Sequence, residues 1–202
     1  MTEDTWLTTD RVPDLLRYVR RRGGNAVRNR RLRLFGCAVM RARWDAIPDD
    51  RLRDAVAQAE EYADDEFDDK TAAALRFGIA NTFFHWLKTP DVDYCYNLLH
   101  RSISEVAGTF TYIQTSPEMA AAVRDIFGNP FRPVVFDKSW RTSSAIALAK
   151  TMYDARRFDA MPILSDALQD EGCEDAEILG HCRNPGAHVR GCWVVDLVLG
   201  KT

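Results

Sequence analysis

Apolar residues recur three and four positions apart along almost the whole chain, and proline, glycine or a short polar cap falls at the breaks between those runs. That spacing is the one an α-helix needs to turn one face inward. The one β-rich stretch, 109–115 (TFTYIQT), is too short to force a strand among helical neighbours. The pattern therefore predicts an all-α fold, a compact multi-helix domain of about eight to ten helices. With 202 residues, 46% of them apolar, the chain can bury a core as one domain or two small ones.

The breaks place the elements. A first helix follows Asp10 and Pro13, presents Leu15, Leu16 and Val19, and stops at Gly23-Gly24. A second covers about 28–46, with Leu32, Phe35 and Val39 as its apolar stripe, and ends before Pro48. Asp49 or Asp50 caps a third, which turns Leu52, Ala55, Val56 and Ala59 inward. The most apolar helix spans 71–88, and another follows Pro90. Ser116-Pro117-Glu118 is a restart signal of cap, proline and first-turn acid, and the helix it opens ends at Gly128. Residues 129–138 then lack any helical period. Pro130 and Pro133 favour an extended path there, and its apolar side chains suit packing over the core. We place a boundary at this segment, between a 1–128 helical region and a 129–202 helical region that pack as one globular unit. Beyond it, 143–153 and 160–170 read as an αα-hairpin turning at Phe158, and 189–199 as the last helix. No second copy of the hairpin appears at a 34-residue period, so it is a packing unit and not a repeat array.

Charge is distributed unevenly behind a net value of -3. Residues 1–44 hold 11 Arg against four acids, whereas 45–69 hold 11 acids against Arg51 and Arg53. Two readings follow. Arg20, Arg21, Arg22, Arg28, Arg30 and Arg31 could form a binding surface for phosphates, or the basic block could pair internally with the acidic one. No recognition motif accompanies the arginines, which favours the internal match. No signal-peptide layout and no long apolar run is present, so a cytoplasmic protein that does not enter a membrane is expected. Five cysteines without framework spacing suit a reducing compartment.

Several segments, taken together, resemble a family of uncharacterised planctomycete-type bacterial proteins. They are Asn129-Pro130-Phe131-Arg132-Pro133-Val134, Ser139-Trp140-Arg141-Thr142, Tyr153-Asp154-Ala155-Arg156-Arg157-Phe158 and His188-Val189-Arg190-Gly191-Cys192-Trp193. The resemblance covers roughly 120–202 and touches the front half at Arg31-Leu32-Arg33-Leu34-Phe35. It implies a shared fold and carries over no activity and no site residue.

The densest set of chemistry-bearing residues is Cys173, His181, Cys182, His188 and Cys192. Thiolates and imidazoles are zinc ligands, and His188 and Cys192 stand one turn apart if helical. Against a zinc site stand the missing C-x2-C knuckle and the adjacency of His181 and Cys182, which regular structure cannot easily aim at one ion. The plainer expectation is that the cysteines pack as small core hydrophobes and that no cofactor is bound. The spacing leaves open whether Arg141, Arg156, Arg157, Arg183 and Arg190 converge with His188 on one pocket. His85 between Phe84 and Trp86 reads as a core histidine, and Cys95 and His100 share no helical face. The acidic run 64–69 lacks the glycine and distal glutamate of a calcium loop. Gly200-Lys201-Thr202 lacks the rest of a phosphate loop. No nucleophile motif is present. These features point to a non-catalytic helical interaction or regulatory module whose partner is another protein. The alternatives are a metal- or thiol-dependent enzyme using 173–192 and a nucleic-acid accessory protein using the 17–43 basic block.

Overall fold

The computed structural model describes residues 1–21, 25–42, 44–46, 50–64 and 116–201. The helices read at 71–88 and after Pro90, the 109–115 stretch, His85, Cys95, His100 and most of the acidic run lie outside those residues. Among the described residues every regular element is helical, as the period predicts. In chain order they are α1 (Glu3–Thr8), α2 (Val12–Arg20), α3 (Asn25–Arg41), α4 (Asp50–Asp64), α5 (Pro117–Phe127), α6 (Ser143–Ala155), α7 (Met161–Asp170), α8 (Ala176–Arg183) and α9 (Trp193–Leu199). Short 3-10 turns occupy Trp44–Ala46 and Lys138–Trp140. None of these helices is long and apolar enough to cross a membrane.

The chain divides into two compact units, one of residues 8–120 and one of residues 1–7 with 121–202. In the first, α2 buries Val12, Leu15, Leu16 and Val19. Its N-cap is Arg11, which makes no side-chain cap bond, so Asp10 does not play the capping role its position suggests. The helices α3 and α4 pack together, burying Leu32, Leu34, Phe35, Cys37 and Val39 on one and Ala55, Val56, Ala59 and Ala63 on the other. Polar bonds join them as well. Arg30 donates to Asp64 Oδ1 at 2.7 Å, and Arg41 grips Glu60 through two bonds of 3.0 and 2.9 Å. Glu60 is 1% exposed, so a two-pronged guanidinium contact is the geometry its burial requires.

The second unit recruits the first residues of the chain for identifiable reasons. Trp6 is buried and its carbonyl accepts from Arg124 Nε at 2.8 Å. Glu3 accepts from Asn129 Nδ2 at 2.8 Å and pairs with Arg132, which also bonds Glu177. Ser116 caps α5 by accepting from the Met119 N–H. Gly128 ends it at φ +67°, a conformation that favours glycine. Residues 129–137 run without regular structure, with Val134 and Phe136 packed on the core and Val135 outside. Thr142 caps α6 by accepting from the Ala145 N–H, and Asp175 caps α8 by accepting from those of Glu177 and Ile178. The helices α6 and α7 pack as the predicted pair, and α8 lies on α7 while α9 lies on α6. The last helix starts at Trp193 and not at Val189. Gly191 takes φ +95°, which a right-handed helix cannot pass through, and Cys192 becomes the N-cap.

Candidate functional site

Four side chains of the C-terminal unit converge. Asp125 stands in the last turn of α5, His181 in the last turn of α8, His188 in the loop that follows, and Cys192 at the start of α9. One ligand-type atom from each lies within 4.8 Å of all the others. Nδ1 of His188 is 2.6 Å from Asp125 Oδ1, and Nε2 of His181 is 3.1 Å from the same oxygen. Sγ of Cys192 is 3.2 Å from His181 Nε2 and 3.9 Å from His188 Nδ1. The second carboxylate oxygen of Asp125 accepts from the Val189 N–H at 2.8 Å.

Local structure sets this up. The Gly128 Cα approaches the Trp193 indole so closely that a Cβ there would stand 3.3 Å from the ring. That approach holds the end of α5, and with it Asp125, against the start of α9. The His181 ring lies between His188 and Trp193, with centroids 4.8 and 5.2 Å away. The turn at Gly191 brings Cys192 back under the imidazoles, so His188 and Cys192 meet through a loop and not along a helix face.

The cluster is largely closed to solvent. Cys192 is fully buried, Asp125 is 4% exposed and His188 and His181 are half-buried. Burial alone would raise the Asp125 carboxyl, but the hydrogen bonds from His181 and His188 outweigh it and hold the group below the ordinary carboxylate range. Burial, reinforced by the Asp125 charge, pushes the Cys192 thiol well up, although the Val194 and Val195 amides pull the other way. Nε2 of His188 is buried and has no hydrogen-bond partner among the described residues.

Of the five residues read from the sequence, the fold brings together His181, His188 and Cys192 and leaves out Cys173 and Cys182. Those two are core residues packed among Leu164, Leu168, Ile178 and their neighbours, and burial raises both thiols, Cys182 to about 12. His181 and Cys182 do point differently, as their adjacency requires. Asp125 is the member that the sequence reading missed. Its one local signal is an acid in the final turn of a helix, where the dipole disfavours negative charge and some other partner must hold it.

The arginine candidates disperse. Arg30 is committed to Asp64, Arg21 is exposed, Arg20 and Arg31 are half-buried, Arg28 belongs to α3, and Arg22 is outside the described residues. In the C-terminal unit Arg141 donates twice to the Leu197 carbonyl, and Arg183 reaches Gln169 and Asp166. Arg190 lies over the Tyr153 ring, and Arg157 is exposed beside Asp159. Arg156 lines a cleft of about 350 Å³ with Phe158, Asn184 and His188. Among the described residues these arginines engage different partners on different elements.

No protein-family model, no curated protein and no solved structure matches the chain.

Proposed function

We propose that this chain is a non-catalytic helical interaction or regulatory module whose partner is another protein. The observation that carries the reading is the orientation of the Asp125, His181, His188 and Cys192 cluster. A nucleophile or general base has to face the space its substrate occupies. Asp125 Oδ1, His181 Nε2, His188 Nδ1 and Cys192 Sγ face one another instead, although His188 also borders the cleft beside Arg156. The Cys192 sulfur is fully buried, its thiol is kept protonated in the absence of a cation, and both Asp125 oxygens are engaged. A protein partner suits the surface better than a nucleic acid. Arg30 and Arg41 bond internally to carboxylates, while Val135 (87% exposed) and Ile163 (61%) present apolar side chains to solvent.

The test places a photo-crosslinking residue at position 135 or 163 of the full chain in the cells that make it. A discrete protein adduct is expected from at least one of these, and none from a control at exposed Glu174. Absence of any adduct from both positions overturns the reading. So does a catalysed reaction that Cys192→Ala abolishes while the fold survives.

A further inference from the structure

The buried cluster holds more polar atoms at one point than hydrogen bonding can use. Without a metal, His188 Nδ1 at 2.6 Å and His181 Nε2 at 3.1 Å must both aim an N–H at Asp125 Oδ1. Neither nitrogen then has a lone pair for the Cys192 proton, although Sγ stands 3.2 and 3.9 Å from them. A divalent cation that displaces the thiol proton turns this sulfur into a thiolate only as it binds. A thiolate beside a carboxylate and two neutral imidazoles sums to two negative charges in a buried space, which a divalent cation balances.

We propose that Asp125 Oδ1, His181 Nε2, His188 Nδ1 and Cys192 Sγ bind one zinc ion as a closed structural site. Zinc bonds of about 2.0–2.2 Å to nitrogen or oxygen and about 2.3 Å to sulfur give tetrahedral edges of roughly 3.3–3.6 Å. The edges of 2.6, 3.1, 3.2 and 3.9 Å bracket that range. The Asp125–His188 edge has to widen by under about 1 Å, and the widest separation in the set, 4.8 Å, has to close by a little over 1 Å. One thiolate with two imidazoles selects a borderline-soft ion over magnesium or calcium. Four protein donors complete the tetrahedron, so no position is left for a reacting water. Outer contacts are in place: the Val189 N–H fixes Asp125 and Trp193 flanks His181. Coordination through Nδ1 puts the His188 proton on Nε2, which has no partner among the described residues, a cost that the coordinate bonds outweigh. The ion would clamp α5, α8, the loop after it and α9, making the order of this unit conditional on metal.

The experiment uses the full chain purified without an affinity tag. Elemental analysis is expected to find about one zinc per chain, and X-ray absorption at the zinc edge one sulfur and three nitrogen or oxygen neighbours. Less than about a tenth of an equivalent after dialysis against zinc overturns the proposal, as does a shell of oxygen and nitrogen alone. Asp125→Asn and Cys192→Ser are expected to lower zinc retention at least about tenfold, whereas Cys173→Ala and Cys182→Ala retain it. Should the ligand variants fail to fold, cobalt substitution of the wild-type chain decides. Intense tetrahedral bands with a sulfur charge-transfer band support the site, and a weak octahedral spectrum overturns it.

Discussion

The α3–α4 pair and the C-terminal unit both bury carboxylates, and they neutralise them differently. Between α3 and α4, Glu60 and Asp64 each meet a guanidinium, a permanent cation with donors spaced to match a carboxylate. In the C-terminal unit, Asp125 meets two imidazoles and a thiol, groups whose charge depends on protons or metal. The first arrangement is complete within the chain. The second balances only when something is added, and that is why the second carries the site.

Four perturbations sharpen this contrast, beginning with the largest. Asp125→Ala leaves two imidazoles and the Val189 amide buried without their acceptor. It should destabilise the C-terminal unit by about 3–5 kcal/mol, read as lost amide protection in α5, α8 and α9 while α3 and α4 keep theirs. Equal loss in all five helices would break the comparison. Glu60→Gln removes one charge from a two-pronged pair and should cost about 1.5–3 kcal/mol, confined to α3 and α4 in the same measurement.

Gly128→Ala combines a left-handed φ with the Trp193 contact and should cost about 1–2 kcal/mol by denaturant unfolding. If it costs nothing, the seating of α5 on Trp193 does not position Asp125. The last perturbation needs no mutation. The Cys182 thiol is raised from 9.0 to about 12, so the native state keeps a proton that the unfolded chain releases. That contribution is complete below pH 9 and declines as pH rises towards 12, so stability of the C-terminal unit should fall over this window. Cys182→Ala should flatten the slope. A slope unchanged in the variant assigns it to another group.

Much of the fold was legible because helix starts and stops are local chemistry. Ser116-Pro117-Glu118 and Gly128 act through bonds to residues three or four positions away, and the sequence displays those directly. The pairing of a basic block with an acidic one was legible in the same way, as complementary charge, and Arg30–Asp64 and Arg41–Glu60 realise it. The last helix was misplaced by four residues because its apolar run begins at Val189, whereas Gly191 turns the backbone left-handed first.

The site was only half legible. Composition singled out the cysteines and histidines of 173–192, but spacing could not sort ligand-type residues from core ones. Cys173, Cys182 and Cys192 are chemically identical and all fully buried; what separates them is whether a neighbour on another element offers nitrogen or carbon. By itself the sequence determined the helical class and several helix ends among the described residues, and it offered the internal charge match as one of two readings, since each depends on near neighbours or on bulk charge. The tertiary structure alone decided that Asp125 joins His181, His188 and Cys192 across dozens of intervening residues. A side chain becomes a ligand by the direction it faces in the packed core, and that direction is not written in any local stretch of sequence.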